Sequence, residues 1–202
     1  AGMNANTPAV CLVGKTHDFH VETALGITLD ENLENIRASV AHMVAQGREA
    51  LFDAEHFFDG YKANPDYALE AVHAAYEAGA RWIVLCDTNG GVLPSAISKI
   101  VAEVRRATTL PLGIHAHNDS ELAVANSLAA VSAGGIQVQG TINGFGERCG
   151  NCNLVSVVAN ILLKTDKTCL ADPEQLKYLK QLSKFVNEQV NLRDNQRAAF
   201  VG

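Results

Sequence analysis

Short apolar segments alternate with amphipathic ones along most of this 202-residue chain, and this alternation restricts the fold more than any other feature. The apolar runs predict strands at about residues 10–13, 49–52, 82–86, 112–116 and 136–139. The amphipathic runs predict helices at about residues 30–46, 65–79, 94–107, 121–133, 154–164 and 173–190, the last without an intervening strand. Strands that are joined by helices in this way pair in parallel through right-handed crossovers.

Polar residues follow one predicted strand after another. Glu55, Thr88 and His117 each come just after an apolar run, about 30 positions apart, which is the length of one βαβ unit. A doubly wound sheet gathers its site at one switch point. A TIM barrel instead takes site residues from the carboxyl ends of many strands. The pattern here is that of the barrel, and we predict an α/β fold of the TIM (β/α)8 class.

The number of predicted strands is too small for a whole barrel. A complete barrel needs eight βα units and about 250 residues, and an open five-stranded piece would leave two edges and an apolar face uncovered. We therefore expect the chain to cover about the last five βα units. In that division 1–170 is a partial barrel catalytic domain with strands 4–8, and 171–202 is a C-terminal helix and linker towards a subdomain outside this sequence.

Composition argues against several kinds of partner. The net charge is −6 and no dense Lys/Arg stripe occurs, so neither nucleic acid nor a membrane surface is expected as a partner. No apolar run approaches the ~20 residues that cross a bilayer. The five cysteines form no even disulfide framework, and a reducing cytoplasm is expected. Cys149 and Cys152 form a CxxC motif, which we interpret as small packing residues, with a redox pair or structural zinc as the alternative.

The run His115-Ala116-His117-Asn118-Asp119 ends an apolar strand. Because residues i and i+2 of a strand point to the same face, His115 and His117 project side by side. Neutral imidazole is the commonest protein ligand of divalent transition metals, and two on one face can share an ion. The alternative is a pair of polar residues hydrogen-bonded at a strand end. Four of the other histidines, His17, His20, His42 and His73, are taken as structural or surface residues.

A glycine-rich segment, residues 139–151, follows the next apolar strand. Its glycines permit tight turns beside a ligand. Asn143 and Asn151 offer amide oxygens, and Glu147 with Arg148 offers an ion pair. The alternative is an ordinary turn into a helix, with Asn151 or Asn153 as the N-cap. That alternative does not explain why such a loop directly follows a paired-histidine strand.

Together the 115–119 run and the 140–151 segment resemble the paired signature of the DRE-TIM metallolyases, the family of isopropylmalate, homocitrate and citramalate synthases. The resemblance extends over nearly the whole chain. Within the family, residues 53–62 and 85–91 are most similar to the (R)-citramalate synthase branch.

The resemblance implies roles for particular residues. It implies that His115, His117 and Asn151 bind a divalent metal, together with an aspartate of the first barrel strand that this sequence lacks. It places Glu55 in proton handling or water ordering, and Thr88 on the carboxylate of an oxo acid. Period-two alternation puts Asp53 on the face of Glu55, and Cys86 on the face of Thr88, so these two would lie one layer below in the substrate-binding pocket. A surface role for Glu55 and a turn-capping role for Thr88 are the alternatives.

The implied activity is a Claisen-type acyl transfer. A divalent metal (Mg²⁺ or Mn²⁺, with Zn²⁺ also a candidate) would polarise the ketone of a 2-oxo acid, to which acetyl-CoA adds. The branch implies pyruvate and (R)-citramalate, in isoleucine and leucine biosynthesis, in a cytoplasmic homodimer. The alternatives are 2-isopropylmalate or homocitrate synthase, a hydroxymethylglutaryl-CoA lyase-like C–C lyase, and a non-enzymatic metal-binding domain. Such synthases take a further catalytic histidine from a later subdomain, so this fragment alone is expected to be inactive.

Overall fold

A computed structural model describes residues 6–202. The first five residues of the expected barrel domain lie outside the described part. All strands pair in parallel in one sheet with the order β1-β2-β3-β4-β5, which confirms the predicted topology. The strands are β1 Ala9–Lys15, β2 Glu49–Glu55, β3 Trp82–Asp87, β4 Leu112–Ala116 and β5 Gln137–Gln139. Each lies within three residues of its predicted bounds.

Helices cover one face of this sheet. They are α1 Asp18–His20, which runs into a π-helical turn Val21–Leu25, then α2 Leu29–Ala45, α3 Phe57–Ala63, α4 Pro65–Glu77, α5 Pro94–Ala107, α6 Ala123–Ser132, α7 Leu154–Lys164 and α8 Leu179–Gln189, with 3-10 turns at Ile142–Gly144 and Pro173–Tyr178. The bounds of α5 and α7 are those predicted. The last helix is shorter than predicted, because its first six residues form the 3-10 turn before α8.

Local chemistry explains where these helices begin. The Thr28 hydroxyl accepts a hydrogen bond from the Glu31 backbone N–H at the start of α2. The Asn64 amide oxygen does the same for Tyr67 at the start of α4, with Pro65 in the first helical position. Both are the caps that side-chain oxygens provide for free N–H groups at a helix start.

The sheet divides its side chains by face. Phe52, Ile83, Leu85, Leu112 and Ile114 point towards the helices and belong to the buried apolar core. Because side chains alternate along a strand, Asp53, Glu55, Cys86, His115 and Gln139 point to the opposite, concave face. This face carries the polar residues that concern function.

Helix α3 was not predicted from the sequence. Phe57 and Phe58 are fully buried in it, so burial offsets the low helix propensity of Gly60 in its middle. At Gly60 an added Cβ would lie 2.5 Å from the Thr16 carbonyl oxygen, so only glycine lets this helix approach the end of β1. None of the helices within residues 6–202 is both long enough and apolar enough to cross a membrane.

Candidate active site

The predicted site residues meet at the carboxyl edge of the sheet. In the strand register Lys15 pairs with Glu55, and Cys86 pairs with His115. The backbone N–H of His117 donates to the Asp87 carbonyl at 3.2 Å. Parallel pairing therefore brings the ends of β1 to β4 side by side, and the chain that follows each strand reaches one shared region.

The glycine-rich loop folds back against the histidine strand. The backbone N–H of Cys152 donates to the Ala116 carbonyl at 3.0 Å, and that of Asn118 donates to the Gly150 carbonyl at 2.9 Å. These bonds make an antiparallel bridge between His117 and Asn151. Asn151 is thereby held beside His117, although 34 positions of chain separate them.

Two buried polar atoms in this group have no hydrogen-bond partner within the described residues: Nδ1 of His117 and Oδ1 of Asn151. An unsatisfied buried polar atom costs about 1–3 kcal/mol, so both atoms are suited to an added ligand. The rings of His115 and His117 lie 5.1 Å apart between centroids. Burial, followed by the charges of His115 and Arg148, lowers the pKa of His117 and favours the neutral ring that binds metals.

These observations fit a divalent metal held by two imidazoles and an amide oxygen. Among residues 6–202 no three or more His, Cys, Asp or Glu side chains come together as a metal-binding cluster. A site completed by Asn151 does not require such a cluster. The assignment of His115, His117 and Asn151 as ligands stays a prediction.

A hydrogen-bonded chain that sequence reasoning missed supports His115 from the side. Nδ1 of His115 lies 2.7 Å from Oε1 of Gln139, and Nε2 of Gln139 donates to Oδ1 of Asp53 at 2.9 Å. Polar residues on both sides of Val138 in a short strand were the signal that could have identified Gln139.

Asp53 and Cys86 lie on the concave face, as alternation predicts. They are 8% and 6% exposed. Asp53 is engaged with Gln139, and Cys86 donates weakly to the Val84 carbonyl at 3.6 Å. Burial, reinforced by Asp53, raises the pKa of the Cys86 thiol. Cys86 therefore stays a neutral thiol at neutral pH, and a substrate-binding role for the two residues stays a prediction.

Glu55 forms an ion pair with Lys15, with 2.6 Å between Oε2 and Nζ. The Lys15 side chain is 22% exposed and that of Glu55 is 27% exposed, so both are partly shielded from solvent. Sequence reasoning gave Lys15 no role. Its position in register with Glu55 was the signal that could have identified it.

A group of three histidine rings flanks this ion pair. His20 stacks on His17 at 5.0 Å between centroids and meets the edge of His56 at 4.0 Å. His56 has a left-handed backbone, with φ 58°. Burial, and to a smaller extent the charge of His20, lowers the pKa of His56 to about 4. The rings of His20 and His56, whose pKa values are both lowered, are thus neutral beside Glu55 at neutral pH.

Thr88 is held at both its side chain and its backbone. Its hydroxyl oxygen accepts the His56 backbone N–H at 2.8 Å, which leaves the hydroxyl proton free to donate. The carbonyl of Thr88 accepts from Arg148 Nη2 at 2.6 Å. Arg148 also pairs with Glu147 at 3.2 Å, as predicted, and additionally with Asp119. Thr88 is therefore held by two neighbouring segments, by the chain after β2 at its hydroxyl and by the glycine-rich loop at its carbonyl.

The loop asparagines separate into different roles. Nδ2 of Asn143 donates to the Ser183 carbonyl at 2.9 Å and to Oδ1 of Asn187 at 2.8 Å, so Asn143 holds helix α8. Asn153 is the N-cap of α7, since its Oδ1 accepts from the Val155 N–H at 3.0 Å. Asn151 has neither of these roles: it does not hold α8 as Asn143 does, and it does not cap α7 as Asn153 does.

The two cysteines of the CxxC motif are free and differ in burial: Cys149 is exposed and Cys152 is buried. The Ser127 hydroxyl lies 3.1 Å from the Cys152 sulfur in the core. This supports a packing role for Cys152.

A cavity of about 570 Å³ opens beside Asn151. It lies between the glycine-rich loop, α6, α8 and the C-terminal residues, and its wall includes Lys184, Arg193 and Arg197. Its size is that of a small-molecule site, and its cationic side chains suit an anionic ligand.

Comparison with known proteins relates this chain to one family. The profile of the HMGL-like family matches residues 1–186. The (R)-citramalate synthase of Geobacter sulfurreducens is 58% identical over 196 residues, covering 96% of this chain and 37% of that protein. The (R)-citramalate synthase of Synechocystis sp. is 51% identical over 208 residues, covering 99% of this chain and 38% of that protein. The probable 2-isopropylmalate synthase of Methanopyrus kandleri is 39% identical over 158 residues, covering 78% of this chain and 31% of that protein.

Solved structures share the fold. The hydroxymethylglutaryl-CoA lyase of Pseudomonas aeruginosa has a TM-score of 0.78 at 15% identity, covering 98% of this chain and 68% of that chain. The carboxyl transferase domain of Rhizobium etli pyruvate carboxylase has a TM-score of 0.69 at 21% identity, covering 93% of this chain and 29% of that chain. The expected fold is confirmed: the five βα units form part of a barrel of the TIM class. The chain spans less than two-fifths of the length of the citramalate synthases above.

Proposed function

The chain belongs to the HMGL-like family, and from this premise we propose that it is the metal-binding catalytic part of an (R)-citramalate synthase. In this proposal acetyl-CoA condenses with pyruvate, and hydrolysis of the thioester makes the reaction irreversible. The observation that carries the proposal is the pair of buried, unpartnered atoms on His117 and Asn151 beside His115. They form a possible ligand set at the carboxyl edge of the sheet, where Thr88 and Glu55 also lie.

His115, His117 and Asn151 would hold Mg²⁺, Mn²⁺ or Zn²⁺, with further ligands from outside these residues. When bound, such an ion supplies Lewis-acid polarisation of the ketone oxygen of the oxo acid. Thr88 binds the carboxylate of the oxo acid, because its hydroxyl accepts from His56 N–H and keeps its own proton to donate. A hydrogen bond to a charged group is worth about 1.5–3 kcal/mol.

Glu55 orders water or receives a proton, and Lys15 holds its carboxylate in place. The neutral rings of His20 and His56 narrow the access of water on that side. Acetyl-CoA occupies the cavity beside Asn151, where Lys184, Arg193 and Arg197 attract its phosphates. The full-length enzyme then adds the remaining metal ligand and the further catalytic histidine that this chain lacks.

The choice of pyruvate depends on the floor of the cleft. Asp53, Gln139 and Cys86 fill the concave face below the histidines, which favours a small side chain on the oxo acid. The floor carries no free cation for the second carboxylate of 2-oxoglutarate, since Lys15 is neutralised by Glu55 within the described residues. Both features favour the citramalate branch over the isopropylmalate and homocitrate branches.

The remaining parts of the proposal concern the whole enzyme. It acts in isoleucine and leucine biosynthesis as a cytoplasmic homodimer. The five free cysteines agree with a reducing compartment.

A substrate screen on the full-length enzyme tests this function. It follows CoA release from acetyl-CoA with pyruvate, 2-oxoisovalerate or 2-oxoglutarate, with Mg²⁺, Mn²⁺ or a chelator. The proposal expects metal-dependent release that is confined largely to pyruvate and lost in His117→Ala. The matched control is His42→Ala, which changes an exposed histidine of α2 and is expected to keep full activity.

Turnover with another oxo acid would assign the enzyme to a different branch of the synthases and leave the proposed mechanism unchanged. If no oxo acid gives CoA release and a hydroxyacyl-CoA is cleaved instead, the enzyme is a lyase and the proposed synthase function is wrong.

A further inference from the structure

We propose that Gln139 is a positioning residue that fixes the tautomer and orientation of His115 through a hydrogen-bonded chain from Asp53 to Gln139 to His115. This inference rests on the proposed function, because it concerns the metal ligands of that enzyme. It adds a residue that is not itself a metal ligand and that acts on the metal site through His115.

The chain of hydrogen bonds crosses the concave face of the sheet. Gln139 lies on β5 in register with His115 on β4. Asp53 lies on β2, and two strands separate it from β5. Gln139 nevertheless donates to Asp53 at 2.9 Å, across 86 positions of sequence. The contact therefore depends on the curvature of the sheet, and it joins β2 to β5 across the concave face.

The chemistry of the three groups sets the direction of the bonds. A carboxylate can only accept hydrogen bonds, so the side of Gln139 that faces Asp53 must be its NH₂ group. The carbonyl oxygen of the amide then faces His115 at 2.7 Å. A carbonyl oxygen cannot donate, so Nδ1 of His115 must carry the proton. The Asp53 carboxylate thus sets the tautomer of His115 through the amide of Gln139.

This tautomer leaves Nε2 of His115 without a proton and able to bind a metal. Metal-binding histidines usually donate their other N–H to an oxygen, which orients the ring and raises its basicity. At His117 the unpartnered atom within residues 6–202 is Nδ1 itself, the atom open to a ligand. The ring of His115 is thus held in advance of metal binding by its bond to Gln139.

A set of substitutions in the full-length enzyme separates this role from simple packing. Gln139→Met keeps the length of the side chain and removes both bonds. Gln139→Glu keeps an oxygen for His115 N–H. Asp53→Asn allows the Gln139 amide to turn over, because Asn offers both a donor and an acceptor. The matched control is Gln137→Met, at the residue two positions earlier on the same strand face, whose Oε1 has no hydrogen-bond partner.

Two readouts apply to each variant. The first is the His115 tautomer in metal-free protein, taken from the Cδ2 shift of ¹³C-labelled histidine and assigned with His115→Gln. The second is Mn²⁺ affinity in competition with a chromophoric chelator. Circular dichroism and the midpoint of thermal unfolding confirm that each variant is folded.

We expect a single Nδ1–H tautomer in the unsubstituted enzyme, in Gln139→Glu and in Gln137→Met. Gln139→Met and Asp53→Asn should show a mixture of tautomers, and their Mn²⁺ affinity should fall about 10- to 100-fold. An unchanged tautomer and unchanged affinity in Gln139→Met would overturn the inference. An Nε2–H tautomer in the unsubstituted enzyme would overturn it equally.

The tautomer readout needs no substrate and no metal. Failure of the citramalate screen with a single Nδ1–H tautomer would therefore refute the proposed function and leave the positioning role intact. Metal-dependent citramalate synthesis by an unsubstituted enzyme with mixed His115 tautomers would support the proposed function and refute the positioning role of Gln139.

Discussion

Arg148 donates two parallel hydrogen bonds to the carboxylate of Asp119, from Nε at 2.8 Å and from Nη2 at 3.0 Å. Nη2 also donates to the Thr88 carbonyl at 2.6 Å. One guanidinium thus joins the glycine-rich loop that carries Asn151 to the chain after β4 and to the chain after β3. This contact makes the loop, the histidine strand and Thr88 one connected unit.

Arg148→Lys tests the connection. Lysine keeps the charge but cannot make the planar two-bond contact, so the loop and Thr88 should lose their mutual position. We expect kcat/KM for pyruvate to fall on the order of 10- to 100-fold, with little change in the midpoint of thermal unfolding. Steady-state kinetics on the full-length enzyme measures this.

The matched control is Arg105→Lys. Arg105 likewise donates to a carbonyl, that of Gly134 at 2.6 Å, but it lies in the last turn of α5, on the helical face of the sheet. Equal kinetic losses in both variants would contradict a specific role for Arg148.

Thr88→Val removes the hydroxyl that we assign to the carboxylate of the oxo acid. The expected loss is about 1.5–3 kcal/mol of binding, seen mainly as a higher KM for pyruvate, with KM for acetyl-CoA changed little. Thr88→Ser should stay near the unsubstituted enzyme because it keeps the hydroxyl. If KM for pyruvate is unchanged in Thr88→Val, the turn-capping interpretation of Thr88 is the better one.

Gly60→Ala tests the packing of α3, a helix that the sequence did not predict. The new Cβ would meet two backbone atoms, the Thr16 carbonyl oxygen at 2.5 Å and His17 Cα at 2.8 Å, which cannot move as a side-chain end can. Overpacking of this kind costs about 1–3 kcal/mol, and a lower midpoint of thermal unfolding should show it.

Gly91→Ala is the control for Gly60→Ala, because nothing lies within 4 Å of its added Cβ. We expect a change within about 0.5 kcal/mol there. Equal stability of the two variants would mean that α3 does not pack against the end of β1 as described.

His56 makes stability depend on pH in a defined direction. Its folded pKa is about 4, below the ordinary value of 6.5, because burial disfavours the charged ring. Its contribution is fully present above pH 6.5 and is lost as the pH falls from 6.5 towards 4, since the unfolded chain binds the proton more readily. After discounting for solvent screening, the contribution is on the order of 1 kcal/mol.

His56→Asn isolates this effect. Asparagine tolerates the left-handed backbone at this position, keeps the N–H that Thr88 accepts, and does not titrate. Thermal unfolding between pH 7 and pH 4 should therefore show a shallower decline for the variant. The pKa of His20 is also lowered by burial, so part of the decline should remain. Identical slopes in both proteins would contradict the assignment.

The sequence predicted those features that depend on local pattern. Pro94 and Asn153 mark the starts of α5 and α7, and the bounds of both helices were predicted correctly. Alternation correctly placed Asp53 and Glu55 on one face. Phe57 and Phe58 gave no comparable signal, because the helix around Gly60 depends on the burial of both rings in the core and on its close approach to the chain after β1.

The contacts that organise the candidate site are long-range, and for that reason the sequence did not reveal them. Asp53 and Gln139 are 86 positions apart, and Arg148 and Thr88 are 60 apart. Such pairs follow from the register and curvature of the sheet. The register could be anticipated from the strands, but the curvature, which decides whether Gln139 reaches Asp53, could not.

The most direct test of the account is a crystal structure of the full-length enzyme with Mn²⁺ and pyruvate, in which anomalous scattering locates the metal. The account expects one Mn²⁺ bound by His115, His117 and Asn151, with the pyruvate carboxylate on the Thr88 hydroxyl. Mn²⁺ among His17, His20 and His56 instead, or pyruvate away from Thr88, would contradict it.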